Sequence, residues 1–136
     1  MANKKTLLKI ITPEKNFFDE EVDMAIFRTI EGDMGVLPGH TPLTTILSIG
    51  IIKIKQGEQE KKATLIGGFA EIQPDRITIL ADAAEWPDEI DKERAEAAKR
   101  RAEERLAIKT ADINIARAEA ALKRALVRLE LSQYTD

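Results

Sequence analysis

The sequence predicts an α+β chain, with an N-terminal all-β sandwich over residues 1–87 and a C-terminal antiparallel two-helix hairpin over residues 88–136. Three observations carry that reading. Up to about Ala84 the apolar residues fall in short, β-branched runs, with turn signals at intervals of roughly ten residues, the pattern of a sandwich or barrel. All seven glycines and all five prolines precede Asp88. Beyond it the chain is rich in Ala, Glu, Lys, Arg and Leu, which are strong helix formers, and its apolar positions are spaced for one face of a helix.

Leu7, Leu8, Ile10 and Ile11 make the first expected strand and lead into a turn at Thr12-Pro13. Val22, Met24, Ile26 and Phe27 make the second, with partial alternation among acidic neighbours. Ile49, Ile51, Ile52 and Ile54 run to Gln56-Gly57-Glu58, a hairpin signal. Ala63, Leu65 and Ile66 run into Gly67-Gly68. Phe69, Ala70 and Ile72 precede a tight turn at Pro74-Asp75-Arg76, and Ile77, Ile79 and Leu80 close the series. Strands so patterned can form two packed sheets.

In the helical half, Ala95, Ala98, Ala102 and Leu106 are spaced i, i+3, i+7, i+11. Ile115, Leu122 and Leu129 recur every seven residues, with Ala118, Ala125 and Leu126 between them. The first helix is expected to start near Asp88 to Asp91, where acids suit the helix dipole. A break is expected near Ile108 to Asp112, with Thr110 or Asp112 capping the second helix. An alanine seam lets helices approach closely but buries little area. At roughly 25 cal/mol per Å² of apolar burial, such a seam is weakly held, so the hairpin can detach or open.

Composition removes several function classes. The formal charge is −3, so no global basic field argues for nucleic acid or an anionic membrane. The absence of cysteine excludes a disulfide framework, a cysteine nucleophile and thiolate metal sites, and fits a reducing compartment. The single histidine, His40, cannot build a multi-histidine metal site, and no G-x-S-x-G elbow accompanies it. The basic N-terminus has too short an apolar stretch for a signal peptide, and no run reaches membrane-spanning length. No catalytic constellation is present.

The stretch EGDMGVLPGHTPL, Glu31 to Leu43, concentrates glycine, proline and the histidine. It lacks the lysine and hydroxyl of a P-loop and the spacing of a dinucleotide loop, and Glu31 and Asp33 would repel phosphate. Its residue types supply turn geometry. In order and spacing, however, EGDMGVLPGHTPL, IGGFAEI, ITILADAAE and IDKERA resemble the epsilon subunit family of bacterial F-type ATP synthases, over nearly the whole chain. The resemblance implies a β-sandwich followed by a helical hairpin and assigns the glycine loop no catalysis.

It also implies a regulatory ATP site, with or without Mg. Ile90, Asp91, Arg94 and Ala95 match the family motif [I/L]-D-x-x-R-A, and Glu85, Arg101, Arg124 and Arg128 are carried over with them. Asp91 and Arg94 share a helix face. The carboxylate can accept from an adenine amino group or a ribose hydroxyl, and the guanidinium can fork onto phosphate or stack on the base. Taken alone, D-x-x-R is common on solvated helices, where these arginines would pair with Glu103, Glu104 and Glu119.

The family mechanism implies a non-catalytic central-stalk rotor subunit, peripheral on the cytoplasmic face of the bacterial membrane, which couples proton translocation to ATP synthesis. The sandwich would hold the gamma subunit and the c-subunit ring. The hairpin, held folded by ATP, would extend into the catalytic alpha/beta hexamer to inhibit ATP hydrolysis. Basic residues such as Lys99, Arg100, Arg105 and Lys123 would then meet acidic loops. Residues 88–136 hold 11 basic and 11 acidic side chains, so specific faces rather than bulk charge must do any binding. The isolated chain is expected to be a monomer. The other reading of the residues is a non-enzymatic sandwich module that dimerises through the heptads of its helical tail.

Overall fold

The computed structural model describes residues 4–108 and 114–134. The chain divides into two compact units, Met1–Glu85 and Trp86–Asp136. Among the described residues the first unit holds eight strands and the second two α-helices.

In the first unit, β1 (Thr6–Ile11) pairs antiparallel with β2 (Asn16–Val22) and parallel with β8 (Arg76–Glu85). The longest strand, β7 (Gln59–Ile72), runs antiparallel to β8. Its other edge takes β6 (Gly50–Gln56) and then β5 (Leu43–Ile46) in one register, Gly50 opposite Leu65 and Leu43 opposite Ile72. β5 and β6 are therefore one strand interrupted at residues 47–49. β3 (Met24–Thr29) joins β6 to the edge strand β4 (Gly32–Val36). The β-sandwich expected from the sequence is present, and its core is Leu8, Ile10, Phe27, Ile52, Ile54, Ile72, Ile77 and Ile79, all 0–1% exposed.

Two glycines of β7 hold backbone conformations that other residues rarely adopt. Gly67 and Gly68 have φ of +69° and +106°, a region that L side chains avoid. A Cβ at Gly68 would lie 2.0 Å from the Leu80 carbonyl oxygen and 2.8 Å from Ala81 Cα. The backbone of β8 thus occupies the space a side chain would need. What the sequence suggested were two runs on either side of Gly67-Gly68 is a single strand.

Three strands were not anticipated. The expected run from Val22 to Phe27 is the end of β2 and the start of β3, separated by a bend at Asp23. β2 was hidden because Asp19, Glu20 and Glu21 make it look like a loop, and because Phe17 and Phe18 break the alternation. Ile10 faces Phe18 and Ile11 faces Asn16, so Phe17 is the extra residue of a bulge. Both rings can then turn inward, 7% and 5% exposed, with the ammonium groups of Lys15 and Lys61 at 5.8 and 5.5 Å from their centroids. The first part of the glycine stretch is β4, not a turn, and β5 begins at its last residue, Leu43. Glu31 is in the turn before β4, and residues 37–42 form a loop tied down by the Gly39 amide, which donates to the Pro74 carbonyl at 2.7 Å. His40 donates from Nδ1 to the Thr41 carbonyl at 2.6 Å, a local structural bond.

In the second unit, a short 3-10 turn (Pro87–Glu89) precedes α1 (Lys92–Ala107), and α2 (Ile115–Ser132) packs on α1. Glu89 closes the 3-10 turn by accepting from the Trp86 amide at 2.8 Å. Thr110 and Asp112, the expected caps of the second helix, lie outside the described residues. The cap is Asn114, whose side-chain oxygen accepts from the Arg117 amide at 3.0 Å. Ala95, Ala102, Ala118 and Ala125 are buried, as the periodicity suggested. Ile115 and Leu126, counted in the same stripe, are 58% and 44% exposed. Val127 and Leu131 are buried on another face of α2, which no simple heptad would include.

Asp23 closes the bend between β2 and β3. Its carboxylate accepts from the Gly57 amide in the β6–β7 turn and from Lys5 Nζ at 2.9 Å. The Gly57 amide first, and Lys5 second, lower the pKa of Asp23 below the ordinary carboxylate value. A carboxyl whose folded pKa is depressed stabilises the fold above its unfolded pKa, and that contribution fades as pH falls through the folded value. Asp23→Asn is therefore expected to lower the urea midpoint at neutral pH, and the gap from wild type should close below about pH 4. Urea titrations of both proteins across that range check it; a gap that does not change with pH would refute the assignment.

Candidate functional site

Seven of the eight residues singled out for nucleotide binding fall in the second unit; Glu85 is the last residue of the first. Glu85 ends β8 opposite Thr64, and its Oε1 accepts from the Thr64 hydroxyl at 3.3 Å. Ile90 is half-buried and donates its amide to the Pro87 carbonyl at 3.3 Å, which closes the 3-10 turn. Asp91 is exposed and is the N-cap of α1. Its Oδ1 accepts from the Arg94 amide at 3.1 Å, and its carbonyl accepts from the Ala95 amide at 3.0 Å. The D-x-x-R spacing thus has a local cause, because an N-cap carboxylate reaches the amide three residues on. One carboxylate oxygen is committed to the helix start.

The arginines follow from helix geometry. Arg94 and Arg101 immediately precede the buried Ala95 and Ala102 on α1. Arg124 immediately precedes the buried Ala125 on α2, and Arg128 lies one turn further along. Each residue advances about 100° around a helix, so the position before a seam residue lies on one flank of the seam. In two antiparallel helices those flanks coincide, because reversing the direction and facing the partner cancel. Arg94 and Arg101 therefore share one side of the hairpin with Arg124 and Arg128. Arg94 and Arg101 are exposed, and Arg124 and Arg128 are half-buried.

The same construction adds two residues that sequence reading did not assign to the site. Arg105 lies one turn beyond Arg101, and Arg117 precedes the buried Ala118 as Arg124 precedes Ala125. The repeated Arg-Ala pair at 94-95, 101-102, 117-118 and 124-125 was the available signal. Among the described residues, Asp91 is the carboxylate on that flank. Glu93, Glu96, Glu103, Glu104, Glu119 and Glu130 project from the other faces of their helices, by the same 100° steps. Six of the seven arginines of this balanced-charge hairpin therefore lie along one side, while Arg100 lies on the other face of α1. Such a surface suits a polyanion bound by forked donors, and Asp91 adds an acceptor at one end. Among the described residues, no group of three or more His, Cys, Asp or Glu is placed to hold a metal ion.

The first unit offers a different kind of surface. Ile46 pairs with Phe69, and Phe69 with Leu80, across three adjacent strands. They are 57%, 40% and 38% exposed, and Ile30, 64% exposed, is joined to Ile46 by a backbone hydrogen bond of 3.1 Å. Neighbouring apolar side chains left open on one sheet face mark an interaction surface. Among the described residues, no helix is long and apolar enough to cross a membrane.

Comparison with known proteins matches this two-part layout. Residues 5–87 match the family described as ATP synthase, Delta/Epsilon chain, beta-sandwich domain, and residues 88–133 match its long alpha-helix domain. The ATP synthase epsilon chain of Alkaliphilus metalliredigens is 50% identical over 129 residues, which cover 95% of this chain and 96% of that one. The epsilon chain of Bacillus velezensis is 46% identical over 129 residues, covering 95% and 98%. Among solved structures, a chain of the Euglena gracilis mitochondrial ATP synthase, OSCP/F1/c-ring in rotational state 1, superposes with a TM-score of 0.84. It is 25% identical and covers 98% of this chain and 84% of that one.

The double use of Asp91 separates its two roles by substitution. Asn is as good an N-cap as Asp, whereas Ala is a poor one. Asp91→Asn should leave the helical signal in circular dichroism unchanged. Asp91→Ala should destabilise the second unit by about 1 kcal/mol, read as an earlier loss of helix on heating. Equal behaviour of the two variants would refute the capping role.

Proposed function

The chain belongs to the ATP synthase delta/epsilon family, and on that premise we propose that it is an epsilon-type central-stalk subunit of an F-type ATP synthase whose helical hairpin carries a regulatory ATP site. The observation that carries the regulatory part is the arginine flank with Asp91 at its end. Like charges gathered on one side of a weakly held helical pair disfavour the folded hairpin until an anion lies among them. A triphosphate supplies that charge. It stabilises the folded hairpin by mass action, because it binds that form in preference to an open one.

In this reading Arg94, Arg101, Arg124 and Arg128 take the phosphates or stack on the base. Asp91 accepts from the nucleoside with the oxygen that the cap leaves available. Ile90 and Ala95 shape the apolar border. ATP, with or without Mg, is a regulatory ligand here; the chain itself carries out no chemistry. The sandwich anchors the subunit to the rotor, with the apolar row Ile46-Phe69-Leu80 and the neighbouring Ile30 as its seat on the gamma subunit and another side toward the c-subunit ring. The protein is then peripheral, on the cytoplasmic face of the cell membrane, and serves coupling of proton translocation to ATP synthesis. With ATP absent, the hairpin opens and its basic residues engage the catalytic alpha/beta hexamer, which inhibits hydrolysis.

Calorimetric titration of the isolated chain with ATP and with Mg-ATP tests the ligand. Saturable binding is expected, weakened roughly tenfold or more in Arg94→Ala, the scale of one lost charge-assisted hydrogen bond. In the assembled synthase, truncation after Pro87 should preserve assembly and raise ATP hydrolysis. Absence of binding heat from the intact chain refutes the ATP site, and unchanged hydrolysis in the truncated complex refutes the inhibitory role.

A further inference from the structure

We propose that the arginine flank of the hairpin is a binding site for linear inorganic polyphosphate, which Arg105 and Arg117 extend beyond the reach of a nucleotide's triphosphate. Arg105 is eleven positions after Arg94 on α1, and Arg128 is eleven after Arg117 on α2. At about 1.5 Å per residue, each row is about 16 Å long. The two ends of the flank differ. Arg94 shares one end with Asp91, the N-cap of α1. Arg105 lies in the last turn of α1 and Arg117 in the first turn of α2, so both stand at the other end, where the chain passes from one helix to the next. Both are exposed, and among the described residues neither guanidinium is ion-paired. The inference deepens the ATP reading above and borrows from it only the direction, with the nucleoside at the Asp91 end.

A triphosphate that starts at Asp91 covers part of such a row and leaves the far pair without a counter-charge. A condensed phosphate chain has no such limit. It is thin and unbranched, carries negative charge on every unit, and offers oxygens that a guanidinium fork grips in pairs. The alanine seam suits it, because buried methyl groups at 95, 102, 118 and 125 bring the helix axes close and set the two rows near each other. Each added unit places charge opposite further guanidinium groups, up to the full row. Affinity therefore grows with chain length, and so does its sensitivity to salt, because each contact releases counterions. Nothing in this interaction needs a nucleoside. Asp91 thus acts in opposite senses on the two ligands: its charge repels the chain and its oxygen serves the nucleotide.

The test is calorimetric titration of the full-length chain with ATP, with tripolyphosphate and with a linear polyphosphate roughly twice as long, which matches the row. The longer chain is expected to bind more tightly than tripolyphosphate and to weaken more steeply with added salt. The double variant Arg105→Ala with Arg117→Ala should weaken the longer chain roughly tenfold or more, down to the level of tripolyphosphate. Arg100→Ala with Lys123→Ala removes the same charge from other faces of the two helices and should leave binding unchanged. Asp91→Asn, which keeps the cap, should tighten polyphosphate and weaken ATP. Circular dichroism of each variant confirms that the helices are retained. Equal affinity for the two chain lengths, or equal losses in the two double variants, overturns the proposal. Poly-glutamate that binds as tightly as polyphosphate overturns it in favour of an acidic peptide. ATP binding without polyphosphate binding overturns it and leaves the ATP reading standing, whereas polyphosphate binding without ATP binding supports the proposal and overturns the ATP reading.

Discussion

Ala95, Ala102, Ala118 and Ala125 each place a single methyl group in the seam between the two helices, and that choice governs the hairpin's chemistry. Small side chains let the helix axes come close, which brings the two rows of neighbouring arginines onto a common side. Larger residues would bury more apolar area and lock the pair, but they would also spread the guanidinium groups. The seam therefore exchanges adhesion for charge density.

The sandwich is stabilised in the opposite manner. Its interior is branched aliphatic residues at full burial, joined by a ladder that runs through β1, β8, β7 and β6. Its irregular points are backbone solutions rather than weak packing: the glycine pair in β7, the bulge at Phe17, the carboxylate clasp at Asp23. None leaves the core open. One chain thus joins a unit with a large branched-aliphatic core to a helical pair whose seam is mostly alanine.

Much of this architecture was readable in the residues. The change from turn-punctuated β-branched runs to an uninterrupted helical composition located both kinds of structure, and the alanine spacing identified the seam. The parts that were hidden share a cause. β2 carries three consecutive acids and a bulge that places adjacent phenylalanines inward, so neither composition nor alternation marked it. β4 is rich in glycine, and its strand character comes from pairing with β3 rather than from propensity. Asp91 and Arg94 were singled out through the motif, whereas the place of Arg117 on the same flank needed the observation that it stands before a buried alanine. The capping role of Asp91 and the bond between Thr64 and Glu85 depend on three-dimensional contacts that spacing alone does not reveal.

A helical pair with no net charge but with most of its guanidinium groups on one side has a moment perpendicular to its long axis. A neutral body feels little pull from a distant charge, and the Debye length in physiological salt is only about 8 Å, close to the thickness of a single helix. The hairpin is therefore nearly invisible to an approaching macromolecule until the two almost touch. At that range the sign of the facing side decides between attraction and repulsion. Recognition by such an object is selective for orientation and indifferent to bulk potential, so it can sit in a crowded, highly charged assembly without being captured by every acidic surface it passes.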